Sequence, residues 1–286
     1  MSFILNPQKV FAGSARQTAL PFNKRYPLNT REAFSIVNVN KSGIFQTEKS
    51  EGLKTYDRCY VFSDINYKNR DEDEKNAILT NLIKLLEFMS ADFKITVANE
   101  YKNMSQFVNE LLSDVNRQQY PDISDGVRDW IKEKIADAKI SDTEKVMYLT
   151  ITTRTYTYDD ARTYFMSMDI ELQHLFAALK SRIVPLSGVQ RLRSLRKFFY
   201  NDFDNTDIAM DIPGSDPVLD VIPVSIRTYK NFMIFNNCQY VSVMFARSFD
   251  SSLNEEKVVH NLTQVSYPSF LTIDYAPVAG DVLKNT

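Results

Sequence analysis

The sequence predicts an α+β fold, with mixed or antiparallel sheets, helices packed on one side, and split β-α-β-like units. Three observations predict it. A strand pattern, an amphipathic helix and a second strand pattern follow one another between residues 58 and 101. A further strand pattern and a long amphipathic helix follow between residues 145 and 179. The last third of the chain is dominated by strand patterns.

The first β-α-β unit follows a polar segment, residues 1–30, that is expected to be an extended arm, and a hairpin expected around Gly43. A strand is predicted at 58–67 and another at 93–101. Between them, a helix at 71–90 has an acidic start that suits the positive end of the helix dipole. Its apolar residues recur at helical spacing: Ile78, Leu79, Leu82, Ile83, Leu85, Leu86 and Met89.

The second unit follows two shorter helices, expected at 105–117 and 123–138. A strand at 145–153 leads to a helix whose start resembles a capping box, with Thr157 and Asp160 three residues apart. The apolar stripe of that helix is long and regular: Ala161, Tyr164, Phe165, Met168, Leu172, Leu175, Phe176 and Leu179.

A Pro- and Asp-rich stretch at 201–223 is the best internal boundary. It predicts an α+β subdomain at 31–200, a connection at 201–223, and a β-rich α+β subdomain at 224–286 that ends at a truncated linker helix. The predicted elements of this last part are strands at 225–229, 232–236, 240–247 and 269–276 and a helix at 254–264.

Composition excludes several classes of protein. The chain has 286 residues and a formal net charge of −2, which argues against a protein that coats nucleic acid over its whole surface. Cys59 and Cys238, the only cysteines, are expected to be reduced thiols. No apolar run is long enough to span a membrane and no signal peptide is recognisable, so a cytoplasmic location is expected.

Nucleotide-binding and catalytic motifs are missing from the sequence. None of its seven glycines falls in a phosphate-binding loop pattern, and no nucleophile elbow is present. His174 and His260 are expected at the flank or surface of helices. The acidic run 71–74 could suggest a metal site, but consecutive helical residues do not converge on one ion. We therefore predict no catalytic residue, no metal site and no cofactor.

One basic segment is a candidate interaction patch, because it has six basic residues and no acidic one between 180 and 200. It could contact phosphates, an anionic membrane surface or an acidic partner. Alternatively, it is a solvated face, or its arginines pair with carboxylates elsewhere in the fold. The six residues are Lys180, Arg182, Arg191, Arg193, Arg196 and Lys197.

Aromatic and basic residues also alternate at 154–158 and at 227–230. Such segments can stack nucleic-acid bases. Aromatic residues are equally typical of ordinary strands, where they fill the pleated surface, and this second interpretation is favoured.

The order of these segments resembles the N-terminal region of the VirB/TraE-like ATPases that energise type IV secretion and conjugative DNA transfer, in the branch carried by Gram-positive mobile elements. The family has a strand, helix and strand at comparable places, then a strand with a long helix, then an Arg-Leu-Arg segment ending in an aromatic. The segments that carry the resemblance are Tyr60–Tyr67, Phe93–Val97, Tyr148–Thr152 with Asp160–Phe165, Arg191–Phe199 and Tyr267–Pro277.

The resemblance implies a docking and assembly domain at the cytoplasmic base of the transfer channel. Its expected partners are membrane subunits of the conjugation machinery and other subunits of the same ATPase, which would place it peripherally at the inner face of the membrane. The family's Walker motifs would lie beyond residue 286, so no catalytic residue is carried over. The alternative function is a single-stranded nucleic-acid-binding module that uses the basic helix.

Overall fold

A computed structural model describes most of the chain. The described residues are 30–48, 52–65, 67, 70–101, 143–200, 208, 210, 212, 214–244, 263, 265 and 267–277. The predicted helices at 105–117 and 123–138 lie outside them, as do the predicted arm up to residue 29 and nearly all of the predicted helix at 254–264. The expected truncated linker helix at the end also lies outside, since residues 278–286 are not described.

Four helices and ten strands are present in this part of the chain. The helices are α1 (Thr30–Ala33), α2 (Glu72–Phe88), α3 (Tyr158–Ala178) and α4 (Gly188–Tyr200). The strands are β1 (Asn38–Val39), β2 (Ile44–Gln46), β3 (Lys54–Phe62), β4 (Phe93–Tyr101), β5 (Thr143–Thr155), β6 (Ile183–Pro185), β7 (Ile226–Thr228), β8 (Met233–Phe235), β9 (Gln239–Val241) and β10 (Ser269–Tyr275).

The larger sheet has the strand order β1-β2-β3-β5-β4-β10, with β6 also paired to β3. The strands that flank α2 in sequence, β3 and β4, are separated by β5, which is the arrangement of a split β-α-β unit. Strand β5 covers one edge of β3 along its whole length. Two short strands occupy the other edge of β3, one after the other. Strand β2 pairs with Tyr56 to Arg58, and β6 pairs with Tyr60 to Phe62.

The place where β2 and β6 meet needs a glycine. Gly43 precedes β2 with a φ of 83°, and a Cβ atom there would lie 1.9 Å from the carbonyl oxygen of Leu186. A residue with a side chain would therefore be both strained and blocked at this position. The predicted hairpin around Gly43 is confirmed, since β1 and β2 pair in antiparallel fashion on either side of it.

Helices α2 and α3 share one face of the larger sheet. The buried side of α3 has the predicted stripe, and its start has the predicted capping box between Thr157 and Asp160. These residues pack with Tyr56 and Tyr60 of β3 and with Leu149 and Ile151 of β5. Burying aromatic and branched apolar side chains between sheet and helices supplies the main hydrophobic stabilisation of this layer.

Helix α4 lies on the opposite face of the same sheet. Strand side chains alternate between faces, so Asp57 of β3 and Tyr148 of β5 point to this side, where they contact Arg191 and Ser194 of α4. The α+β class with antiparallel sheets is confirmed. Helices were predicted to pack on one side of the sheet, and the two long helices α2 and α3 do so. Helix α4 covers the second face, and the sequence pattern did not predict this.

A second core lies beneath the three-stranded sheet β7-β8-β9. Leu192, Leu195 and Phe199 of α4 pack there with Met233 and Phe235 of β8. Four residues of the predicted 201–223 connection also belong to this cluster and are buried: Ile208, Val218, Val221 and Ile222.

The chain forms two compact units, which divide it differently from the predicted boundary at 201–223. The first comprises residues 1–97, 146–251 and 272–286, and the second comprises 98–145 and 252–271. Residues on both sides of 201–223 belong to the first unit because they share the second core. In the second unit, the buried side-chain amide of Asn99 donates to the carbonyl oxygen of Thr263 at 2.7 Å and is 3.1 Å from the hydroxyl of Ser269.

Candidate interaction surfaces

The predicted basic patch is divided by the fold. Arg191 is buried, whereas Arg182 and Arg193 are exposed, and Arg196 and Lys197 are partly exposed. Lys180 is also exposed, and its Nζ atom forms an ion pair of 2.6 Å with Glu74 of α2. The six residues therefore do not form one continuous cationic surface, and at least two of them have structural roles.

Arg191 fixes α4 to the larger sheet at the point where β2 and β6 meet. Its Nη2 atom is 2.8 Å from Oδ2 of Asp57, and the two side chains are 5% and 1% exposed. Its Nη1 atom donates to the backbone carbonyls of Gly43 and Asp57, both at 3.1 Å, and the guanidinium lies 4.0 Å above the ring centre of Phe45. This is the paired-arginine alternative that the sequence left open.

Arg196 has a comparable, more peripheral contact. Its Nη1 atom donates to the backbone carbonyl of Asp220 at 2.7 Å, and its guanidinium lies 4.2 Å above the ring centre of Tyr200. These contacts hold the segment around residue 220 against the end of α4.

The outer sides of α2 and α3 form a second surface with exposed apolar side chains. On α2, Leu79, Ile83 and Leu86 recur at i, i+4 and i+7 and are about half exposed, and on α3 Met166 and Ile170 are likewise exposed. The sequence assigned the α2 residues to the same apolar arc as the buried Ile78 and Leu85. That arc is wider than the part of it that the sheet covers.

The exposed residues of α2 and α3 carry more negative than positive charge. Their exposed basic residues are Lys84 and Arg162, and six exposed residues are acidic: Glu72, Asp73, Glu87, Asp159, Asp160 and Glu171. Glu72 is paired with Lys75, and the partly buried Glu74 with Lys180. Several acidic residues lie in the first turns of the helices. The preceding Asp71 caps α2, since its carboxylate accepts from the backbone N–H of Glu74 at 2.8 Å.

The third surface is the outer face of the three-stranded sheet. The register places Ile226, Phe235 and Gln239 in one cross-strand row and Arg227, Ile234 and Tyr240 in the next. Because neighbouring rows point to opposite faces, the row with the fully buried Phe235 faces the second core. The row with Arg227 and Tyr240 faces outward, and Tyr240 is 72% exposed.

Two more rings extend this outer row. Tyr229 and Phe232 flank the β7–β8 hairpin loop, and their rings stack with centroids 4.7 Å apart and an interplanar angle of 14°. Phe232 also lies 5.7 Å from Tyr240. The three rings are 44%, 37% and 72% exposed. We call Arg227, Tyr229, Lys230, Phe232 and Tyr240 the aromatic face.

All charged side chains of the segment that forms the aromatic face are basic. Residues 221–244 contain Arg227 and Lys230 and no acidic residue. Arg227 lies on the outer face of β7 and Lys230 in the adjoining hairpin loop, and both are exposed. Exposed aromatic residues grouped in this way are uncommon on a surface that contacts only water.

No group of three or more potential metal ligands is present in the part of the chain that the structure describes. His174 is exposed on α3 and His260 lies outside the described residues. Both Cys59 and Cys238 are free thiols. Among the helices that are described, none combines the length and apolar character needed to cross a membrane.

One buried polar cluster has shifted acid-base properties. Asp169 of α3 lies 3.0 Å from the guanidinium of Arg58 and accepts from the hydroxyl of Tyr60 at 2.9 Å. Burial raises the pKa of the Asp169 carboxyl, while Arg58 and the Tyr60 hydrogen bond oppose the rise. Burial and the nearby Asp169 charge also raise the pKa of Tyr60. The cluster joins α3 to β3 through one ion pair and one hydrogen bond.

Sequence reasoning identified the 227–230 segment but favoured its interpretation as an ordinary strand, and it did not include Phe232 or Tyr240 in a site. The alternation of side chains along each strand could have placed Phe232 and Tyr240 on one face of the sheet. It does not show which face the second core covers.

No protein-family model matches the chain, and no curated protein matches it.

Proposed function

We propose that this chain is a non-catalytic docking and assembly domain that binds other protein subunits through the outer surface of α2 and α3. The observation that carries the proposal is the pair of exposed apolar stripes on these helices, set in a negatively charged surface. Exposed apolar stripes at helical spacing are typical of sites that bind a helix of another protein.

The charge of the surface indicates the kind of partner. Glu87 lies one turn after Ile83, and Glu171 follows Ile170. These exposed acidic residues favour a segment whose apolar side is flanked by Lys and Arg, because complementary charge speeds encounter and disfavours wrong partners. We therefore propose a basic amphipathic helix as the occupant. Juxtamembrane segments of membrane proteins often carry such basic residues on their cytoplasmic side.

The resemblance to VirB/TraE-like ATPases supports the same proposal and narrows the setting. The partners would be membrane subunits of the conjugation machinery and other subunits of the same ATPase. The domain would then be cytoplasmic and held peripherally at the membrane by these partners, without a cofactor of its own.

The test is co-purification of the chain with the cytoplasmic segments of the membrane subunits of its own transfer system, followed by size-exclusion chromatography. Ile83→Ser and Ile170→Ser should together weaken the complex at least about tenfold, because each removes exposed apolar area that the complex would bury. Thr80→Ser on the same helix is the matched control, since this exposed and uncharged residue lies outside the stripe.

Two results would contradict the proposal. One is a complex whose affinity is the same with and without the two serine substitutions. The other is measurable ATPase activity of this chain in the absence of any complex with those subunits.

A further inference from the structure

We propose that the aromatic face binds single-stranded nucleic acid by stacking bases on its exposed rings. The inference uses β7–β9 and not α2 or α3, so it does not depend on the docking function. The two proposals are tested on different surfaces, and either one can fail alone.

The arrangement of the rings supports base stacking. Tyr229 and Phe232 lie in the loop between β7 and β8, and Tyr240 lies in β9. The ring centroids of Tyr229 and Phe232 are 4.7 Å apart, and those of Phe232 and Tyr240 are 5.7 Å apart. The hairpin holds the stacked pair of Tyr229 and Phe232 in place, because the backbone N–H of Tyr229 donates to the carbonyl oxygen of Phe232 at 2.8 Å. Rings fixed in this way lose little conformational freedom when a base stacks on them.

The other face of the sheet anchors it in the second core. Met233 and Phe235 of β8 are buried there, and they alternate with Ile234 and with Phe232, which precedes the strand. Asn236 and Asn237 lie in the β8–β9 turn with φ values of 51° and 62°, a region that asparagine tolerates better than most residues. The aromatic face is therefore the solvent side of a sheet that is anchored on its other side.

The charge of the face favours a polyanion over an apolar protein partner. Arg227 lies on the outer row with Tyr240, and Lys230 lies next to Tyr229 in the hairpin loop. Two cations beside three rings provide contacts for phosphates and for bases, which is the combination that sequence-tolerant single-strand binding uses. The absence of Asp and Glu from 221–244 avoids repulsion of the phosphates.

The experiment measures binding of a short fluorescein-labelled oligothymidylate to the full chain by anisotropy, over a range of salt concentrations. Tyr240→Leu keeps an apolar side chain but removes the ring, and it should weaken binding by about 5- to 150-fold. Tyr240→Phe keeps the ring and should bind like the wild type. Tyr156→Leu is the matched control, because Tyr156 is 67% exposed and follows Arg154 but lies outside the aromatic face.

The salt dependence tests the cations separately. Two phosphate contacts predict a slope of log K against log salt of about −1.4, and Arg227→Gln or Lys230→Gln should each reduce its magnitude by about 0.7. Lys230 is in an exposed loop, so this variant is informative even if a change at Tyr240 disturbs folding.

Several outcomes would overturn the inference. These are absence of oligothymidylate binding by the wild type, wild-type affinity in Tyr240→Leu, an unchanged salt slope in Lys230→Gln, or equal affinity for a duplex whose bases are already stacked. Binding of polyglutamate in place of the oligonucleotide would instead assign the face to an acidic protein segment.

Discussion

The two sheets of the first compact unit differ in where their aromatic and basic side chains lie. In the larger sheet, Tyr56 and Tyr60 of β3 and Tyr148 of β5 are buried beneath helices on the two faces. In the three-stranded sheet, one face is buried in the second core, whereas Tyr229, Phe232 and Tyr240 remain on the solvent side.

The basic residues follow the same division. Arg58 of β3 contacts the Asp169 carboxylate of α3, and Arg191 of α4 contacts the Asp57 carboxylate of β3. Arg227 lies on the outer face of a segment, 221–244, that has no acidic residue. The two arginines at the larger sheet are therefore structural, whereas Arg227 is exposed.

The largest expected effect concerns the buried pair. Arg191→Ala should lower the free energy of unfolding by about 3–5 kcal/mol, because it leaves the Asp57 carboxylate buried without its cation. Arg193→Ala, on the exposed side of the same helix, should change it by less than about 0.5 kcal/mol. Urea unfolding curves of both variants measure the difference. Equal midpoints would mean that the Arg191 contact is not structural.

A smaller effect separates the two faces of the three-stranded sheet. Phe235→Leu should cost about 1–2 kcal/mol, since Phe235 is fully buried and a smaller side chain leaves a gap. Tyr240→Leu should cost less than about 0.5 kcal/mol on the exposed face. Thermal unfolding of the two variants provides the measurement, and a similar loss in both would show that the faces are not distinct.

The smallest effect depends on pH and concerns Asp169 of α3, which contacts β3 of the larger sheet. Its folded-state pKa is raised from the ordinary value of 3.8, so the folded protein binds this proton more tightly than the unfolded chain does. The contribution of Asp169 to stability is then greatest below that value and is lost as the pH rises through the raised pKa.

Comparison with Asp169→Asn isolates this contribution. The free energy of unfolding of the wild type relative to the variant should fall as the pH rises above about 4, as measured by urea unfolding. Asp159→Asn, in the exposed first turn of the same helix, is the control. A relative stability that rises with pH would show that Arg58 outweighs burial and lowers the pKa.

The elements with strong local signals were predictable from the sequence. The stripe of α3 from Ala161 to Leu179 is confirmed because one face of a long helix repeats at a fixed spacing. Strand β4 occupies the predicted residues 93–101. The strands predicted at 225–229 and 232–236 are each one residue too long at both ends. The strand predicted at 240–247 starts one residue after the start of β9, and its residues 245–247 lie outside the described residues. Such ends depend on turns and pairing.

The candidate surfaces were less predictable because they depend on contacts between distant residues. Arg191 belongs to the predicted basic patch, but its partner Asp57 is 134 positions away in sequence. The predicted 201–223 connection has the prolines of a linker, yet Val218 and Ile222 are buried beside Phe199. Neither the buried pair nor the orientation of the aromatic face follows from the local pattern.

The shared edge of β3 has a consequence for the order of folding. The β2–β3 hairpin brings together residues close in sequence, whereas β6 reaches the same edge only after more than a hundred further residues. Closing so long a loop costs entropy before its contacts form, so non-local pairing is slow. We expect the β3 edge to be completed late, with Arg191 closing the gap between the strands in the same step.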